Sequence, residues 1–392
     1  MTEWAPGHSR APLLDADVIV VGVGTMGSMA LWHLADAGIR AIGLEQHAEL
    51  GHEYGAAGGR TRIFRIAYKE GSWYVPLLQQ ARHLWSALEK ATGTALLRPT
   101  GALCIGHPDH PDIAEVLHSA DEFDLPVETL DGAQLASRFP THVLHGDDVG
   151  VLDPQGGLLL PSEAIRAAAG YATEHGVDIR TGIRCTGIEE AGDHVRVRTA
   201  DGELRAARVL VCGGPWTAQL LPGIRDGYEV RRVVLHWFRA LDTDAFTPER
   251  FPVGIRRSGE DASFSFFPSA GDNKVKVNLH VPKDTVPDLS AFDASVPSEY
   301  TARVENAIGR VLRGLEPKAA DARAFIEGYT PDNHGLIGSP PGYDRVLSMS
   351  GFSGHGFKLS PVLAGLAVDA LLQRGDGIPD RLALARTLEE NA

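Results

Sequence analysis

Apolar and polar positions follow two different periods along this chain, and the change of period marks its organisation. Asp17-Val18-Ile19-Val20-Val21 is an unbroken, mostly β-branched run, the pattern of a strand covered on both faces. Ser28–Ala37 then carries helical spacing and ends at Gly38, and Ile42–Leu44 is a second short apolar run. Tyr74–Thr92 predicts an amphipathic helix, with Leu77, Leu78, Ala81, Leu84 and Leu88 on one face. A strand at Gly101–Gly106 and helices at Asp112–Phe123 and Asp131–Arg138 follow. Val151–Gly157 reads as a turn-rich segment, and Ser162 as the N-cap of a helix reaching Gly176, with Glu163 in its first turn. Strands are then expected at Asp178–Arg180 and Cys185–Glu190, a hairpin at His194–Thr199 and Glu203–Ala206 around Asp201-Gly202, and a buried strand at Arg208–Cys212. Between 228 and 324 the period becomes strand-like, with Val230–Leu241, Ser263–Phe267 and Val275–Leu279 predicting a mainly antiparallel second sheet beside a helix at Val304–Leu312. Val346–Ser348 is a last strand, and the glycine-rich run Gly351–Lys358 leads into a helix ending near Leu372.

Composition narrows the class only a little. At 392 residues the chain is long enough for two domains, and 43% hydrophobic with 22% charged residues is ordinary for a globular protein. A net charge of −14 argues against nucleic acid and anionic membranes as partners, and no apolar run approaches a membrane span. Met1–Pro12 is polar and reads as a frayed tail rather than a signal peptide, so a cytoplasmic location is expected. Cys104, Cys185 and Cys212 lack metal-ligand spacing; Cys104 and Cys212 read as inert strand residues, and no metal site is expected.

The chemistry starts where the first strand ends. Gly22-x-Gly24-x-x-Gly27 follows it directly, with Thr25 and Met26 between its last two glycines as further cofactor-contact candidates, and Glu45 closes the second strand 23 residues after Gly22. Gly22 permits a tight turn, Gly24 lets backbone approach a pyrophosphate, Gly27 lets helix and strand pack closely, and Glu45 is placed to hold ribose hydroxyls. This context predicts dinucleotide binding, without separating NAD from FAD. The fold class expected is α/β: a Rossmann-like nucleotide domain built from the discontinuous segments 15–95, 150–227 and 325–385. Segments 96–149 and 228–324 would form an α+β substrate domain with a mainly antiparallel sheet.

This layout resembles the FAD-dependent amino-acid and amine oxidases related to D-amino-acid oxidase and glycine oxidase. Four stretches narrow the resemblance to the family of monomeric sarcosine oxidase and N-methyl-L-tryptophan oxidase. They are Thr61-Arg62-Ile63-Phe64-Arg65-x-Ala67-Tyr68, Lys276-x-x-x-His280, Tyr329-Thr330-Pro331-Asp332 and Gly351–Lys358. The resemblance spans nearly the whole chain in order. It implies an FAD enzyme oxidising the C–N bond of a secondary, N-methyl or cyclic, amino acid, with O₂ as acceptor, H₂O₂ as product and a monomeric state. The flavin would carry the difficult chemistry and the protein would bind and orient.

The same resemblance assigns roles residue by residue. Arg65 and Lys358 would hold the substrate carboxylate, a task suited to a guanidinium's parallel N–H bonds. Lys276 would lie over the flavin and promote reaction with O₂, although alternation with Lys274 also fits a solvated strand face. His280 and His355 match active-site histidines, Tyr329 and Thr330 match residues beside the substrate and flavin, and His355 and Lys358 would also contact the cofactor. Thr61, Arg62, Cys185, Gly213, Trp216, Gly354, Gly356 and Phe357 match cofactor contacts, and Arg62 would share a face with Arg65 if that segment were helical.

Three departures qualify the resemblance. Glu327 stands where the family has a cysteine bonded to flavin, so noncovalent FAD is expected, with the carboxylate turned away or meeting a basic partner. Ser265 replaces an active-site tyrosine and Gly328 a larger residue, which suggests a roomier pocket. Arg256 and Arg257 fall in a pocket-lining strand; the simpler expectation is a solvated basic turn before Gly259, and an inward arginine would instead suit an acidic substrate tail. A flavin dehydrogenase or primary-amine oxidase on the same scaffold remains open, as does, in another class, an FAD-dependent tRNA-modifying protein.

Overall fold

Two eight-stranded sheets carry the chain in the computed structural model, which describes residues 14–258 and 262–389. The expected tail Met1–Pro12 and the turn residue Gly259 lie outside the described residues. In the first sheet, five parallel strands run in the order Asp178–Arg180, Ala41–Leu44, Ala16–Val21, Gly202–Val211 and Val346–Ser350. Cys185–Ala191 and His194–Thr199 extend it as an antiparallel meander, and Leu336–Gly338 pairs antiparallel with Val346–Ser350. Helices Thr25–Asp36, Pro161–Glu174 and Ser360–Leu371 pack together on one face, in a core that includes Val18, Val20, Met29, Leu31, Ala168 and Leu363. The hairpin and the following strand, expected as two pieces, are joined, because Gly202–Val211 is one strand that changes partner partway along.

The second sheet runs Leu315–Tyr329, Glu229–Ala240, Lys274–Leu279, Phe264–Phe267, Val253–Arg257, Ala102–Gly106, Val149–Asp153 and Glu128–Leu130. All neighbours are antiparallel except Val253–Arg257 with Ala102–Gly106. Helix Ser298–Val311 covers one face through Val304, Ala307, Ile308 and Val311. Membership of this sheet crosses the expected piece limits at 150 and 325, since Val149–Asp153 and the whole of Leu315–Tyr329 belong to it.

Several local expectations need correction. Helix Pro161–Glu174 begins at its proline, and the Ser162 hydroxyl donates to Gly51 O at 2.8 Å instead of capping. The segment holding Arg62 is a strand, Arg62–Phe64, in a small sheet with Gly157–Leu159 and Leu97–Arg98, so no helical face joins Arg62 to Arg65. The turn-rich stretch around Pro154 is the link between two strands, Val149–Asp153 and Gly157–Leu159.

Candidate active site

A cleft of about 420 Å³ opens beyond the carboxyl ends of the parallel strands, where an α/β sheet places its ligand. Gly22 has φ +91°, and a Cβ there would lie 2.5 Å from Cys212 O. At Gly27 a Cβ would lie 1.8 Å from Gly22 O, so helix and turn touch backbone to backbone. Gly24 faces open space, and the helix behind it has no side-chain cap, leaving its first N–H groups for phosphate. Glu45 is buried, with Oε2 accepting from Val23 N and Oε1 from His47 N, both at 3.0 Å. Burial would raise its pKa; His52 and the two backbone N–H groups outweigh that and hold it below the usual carboxylate value. His47 and His52 gather around Glu45 at this end, and Cys185, Gly213 and Trp216 line the same cleft. An uncapped helix start, a glycine surface and an ionised carboxylate fit the phosphates and ribose of FAD.

A second cavity of about 330 Å³ adjoins the first, and Arg62, Glu327, Ser353, Gly354 and Phe357 line both. Its walls carry seven cations: Arg62, Arg65, Lys69, Arg257, Lys276, Lys283 and Lys358. Arg65 Nη2 donates to both Glu70 carboxylate oxygens, at 2.9 and 2.7 Å, while its buried Nε has no partner. Glu70 is held well below the usual range: burial opposes ionisation, but Arg65 and Lys69 overcome it. Lys358 Nζ donates to His355 O at 3.1 Å and Tyr68 OH at 3.3 Å, and burial, aided by Arg65 and Lys69, pushes its pKa down to about 7. Its backbone is fixed from behind by Trp85, whose Nε1 donates to Lys358 O at 2.9 Å.

Lys276 projects from the second sheet to the small one. Its Nζ donates to Gly59 O at 2.9 Å and Thr61 O at 2.5 Å and lies 3.7 Å from the Phe267 ring centre. Burial and the nearby Arg62 hold its pKa well below the ordinary lysine value. The solvated strand face is therefore not what forms, because pairing with Trp237 and Phe267 turns Lys276 inward.

Two histidines are fixed as neutral rings by their partners. His355 Nε2 lies 2.8 Å from Asn333 O, an acceptor only, so Nε2 carries the proton and Nδ1 accepts from Tyr68 OH at 2.9 Å. Burial pushes its pKa down to about 4. His280 Nδ1 faces Arg257 Nη1, which can only donate, so Nε2–H donates to Ser265 Oγ at 2.8 Å. Burial and Arg257 keep His280 well below its ordinary value.

The structure gathers Arg65, Lys276, His280, Tyr329, His355 and Lys358 around one cavity. Gly22, Gly24, Thr25, Met26, Glu45, Gly354, Gly356 and Phe357 line the cleft. Thr330 lines neither: its Oγ1 donates to His334 O at 2.7 Å and its N–H to Ser353 Oγ at 3.1 Å, so it braces the glycine-rich turn. Thr61 lines neither cavity: its carbonyl accepts from Lys276 and Arg62 and its N–H donates to Gly59 O at 2.8 Å, and Gly27 serves packing. Gly328 opens no space in the second cavity, since a Cβ there would meet the Tyr228 ring at 3.0 Å. Glu327 meets Arg62 at 4.0 Å and accepts from Tyr329 OH at 3.3 Å.

The solvated basic turn expected at Arg256 and Arg257 is overturned, because strand alternation sends the two to opposite faces. Arg256 is fully buried and paired with Asp148 at 2.8 Å, whereas Arg257 lines the cavity and pairs with Asp112 through Nε at 2.6 Å and Nη2 at 2.5 Å. Sequence reasoning also missed Lys69, Glu70 and Lys283. The first two directly follow Tyr68, and a charged pair that close to Arg65 was the available signal; Lys283 sits in a polar loop and gave none.

Comparison with known proteins agrees with this geometry. A family model described as FAD dependent oxidoreductase matches residues 17–370. Monomeric sarcosine oxidase of Streptomyces avermitilis is 33% identical over 91% of this chain and 93% of its own. N-methyl-L-tryptophan oxidase of Citrobacter koseri is 30% identical over 90% of this chain and 94% of its own. Among solved structures, the open form of NikD, described as an unusual amino acid oxidase essential for nikkomycin biosynthesis, superposes with a TM-score of 0.84. It is 23% identical, covering 94% of this chain and 97% of that one, a likeness of fold.

Proposed function

The chain belongs to the FAD-dependent oxidoreductase family, and from that premise we propose that it is an oxidase of secondary amino acids, N-methyl or cyclic, using noncovalently bound FAD. The observation that carries this reading is the second cavity: Arg65, with an unpartnered Nε, Lys358 and Lys276 all line it, and it shares five residues with the cofactor cleft. FAD, when bound, supplies the two-electron acceptor for C–N oxidation and the route of those electrons to O₂. Arg65 and Lys358 hold the substrate carboxylate by charge-assisted hydrogen bonds. The cationic walls disfavour an ammonium ion, so the bound amine loses its proton and exposes the lone pair that the oxidation needs. His280 and His355, both neutral, orient without adding charge. Lys276 places a donor where charge develops on O₂, the logic of any preorganised dipole at a reacting centre.

The residues at hand support noncovalent attachment. Glu327 occupies the position of the family's flavin-linked cysteine, and Cys185 and Cys212 line the cleft as buried thiols with pKa values raised by burial. Acid precipitation of the yellow protein should leave flavin in the supernatant, and a yellow pellet would contradict this. The function is tested by H₂O₂ release under air with sarcosine, N-methyl amino acids, proline, pipecolate and primary amino acids. Peroxide from secondary acids is expected; peroxide only from primary amines, or turnover only with an artificial acceptor, would overturn the reading.

A further inference from the structure

The second cavity carries a further guanidinium, Arg257, that the proposed carboxylate pair Arg65 and Lys358 leaves unused. From Arg65, charges alternate through Glu70, Lys69 and Asp112 to Arg257: Arg65 to Glu70 at 2.7 Å, Lys69 to Glu70 at 3.2 Å, Lys69 to Asp112 at 3.5 Å, Arg257 to Asp112 at 2.5 Å. A guanidinium stands at each end of this row. Arg257 spends Nε and Nη2 on Asp112 and Nη1 on His280, which leaves further N–H groups on its two Nη atoms for a ligand. Its side chain is 10% exposed and lies on the cavity wall, so it is rigidly presented and little hydrated. Asp112 fixes the fork in place, as a second carboxylate fixes many anion-binding arginines.

The polarity of the neighbouring groups points the same way. His280 must accept from Arg257 and donate to Ser265, so the Ser265 hydroxyl has its own hydrogen left to give, and Ser265 lines the cavity. Lys69 lines the same cavity and lies 3.5 Å from Asp112, the partner of Arg257. Seven cationic side chains around the cavity face Glu70 and Glu327 on its lining and Asp112 behind. Against those three carboxylates the seven basic side chains leave an excess of four; one substrate carboxylate lowers it to three and a second to two.

We propose that the cavity takes a secondary amino acid bearing a second acidic group, with the α-carboxylate at Arg65 and Lys358 and the distal carboxylate at Arg257, Ser265 and Lys69. This rests on the oxidase reading above and adds the class of side chain.

The test has two arms whose failures differ. Isothermal titration calorimetry of the FAD-loaded protein with succinate, glutarate and adipate, against acetate and butyrate, reads the second end without turnover. At least one diacid should bind ~10-fold tighter than butyrate. Arg257→Gln should abolish that ratio, and so should Arg257→Gln/Asp112→Asn, which removes the ion pair as a unit and leaves no unpaired buried charge. Equal affinity for diacid and monoacid in the unaltered protein, or a preference that survives in a folded variant, overturns the proposal. The second arm compares N-methyl-L-glutamate with its neutral isostere N-methyl-L-glutamine as substrates. A kcat/KM at least ~10-fold higher for the diacid is expected, and a neutral isostere that is equal or better overturns the proposal. Failure of every secondary amino acid to reduce the flavin would defeat the oxidase reading instead, while the binding arm still decides the second end.

Discussion

The two cavities of this molecule meet along five shared residues, yet they are built on opposite principles. The cofactor cleft is made of backbone: Gly22, Gly24 and Gly27 set its shape, an uncapped helix start supplies donors, and Glu45 is its one buried carboxylate. The substrate cavity is made of long charged side chains reaching in from separate segments and held by one another. A backbone site is rigid and tolerates no added atom where its segments touch, as at Gly22 and Gly27. A side-chain site stores its specificity in ion pairs, so a single substitution changes what it binds before it changes whether the protein folds.

The sharpest contrast comes from the cleft. Gly27→Val puts a side chain where a Cβ would already lie 1.8 Å from Gly22 O, and neither backbone can yield. The purified variant should lack visible flavin absorbance altogether and lose roughly 1–3 kcal/mol of stability in denaturant unfolding. In the substrate cavity, Lys276→Met should keep its flavin and its anaerobic reduction. Its reoxidation by O₂ should slow by a factor on the order of 10²–10³, read by stopped-flow mixing of reduced enzyme with oxygen. Arg65→Met should weaken acetate binding by roughly 10–100-fold in calorimetry, the worth of charged hydrogen bonds with a buried partner, while flavin content is retained.

The smallest effect is a pH dependence. Lys358 titrates at about 7 in the folded protein because burial disfavours its charge, with Arg65 and Lys69 adding to that and Glu70 opposing it. A bound carboxylate favours the charged amine, so binding takes up a proton. Acetate affinity should therefore be greatest below pH 7, fall by a few-fold as pH rises through that value, and level off where Arg65 alone holds the ligand. Lys358→Met should flatten the profile. His355, titrating near pH 4, contributes nothing to the slope above pH 5.

How far each region could be read from sequence follows from the same contrast. The cleft was legible because its parts are consecutive: strand, glycines, helix and Glu45 occur within one β-α-β unit, and each has a local physical signature. The substrate cavity was legible only at positions carried by resemblance, such as Arg65, Lys276 and Lys358. Arg257 was misjudged because two adjacent arginines before a glycine look like a solvated turn, and only the strand register decides which one turns inward. Thr330, expected beside the substrate and flavin, lines neither cavity and hydrogen-bonds to His334 and Ser353. In the fold, strand Leu315–Tyr329 escaped notice because it is an edge: only Ala324, Phe325, Ile326 and Tyr329 are buried, so alternation is weak, and Pro317 is tolerated there. Strand Val149–Asp153 was hidden by its glycine and the following proline, although Gly150 is needed where Leu135 packs against it.

In the proposed oxidase the cleft presents flavin to an amine held by its carboxylate in the adjoining cavity, beside a lysine that serves oxygen. The most direct measurement is one anaerobic cycle: add an N-methyl amino acid to the yellow protein without oxygen, follow the visible flavin absorbance, then admit air. Bleaching on addition, full return of colour in air and one H₂O₂ released per flavin are expected. Bleaching without return of colour would contradict the role given to Lys276. No bleaching with any secondary amino acid would contradict the account as a whole.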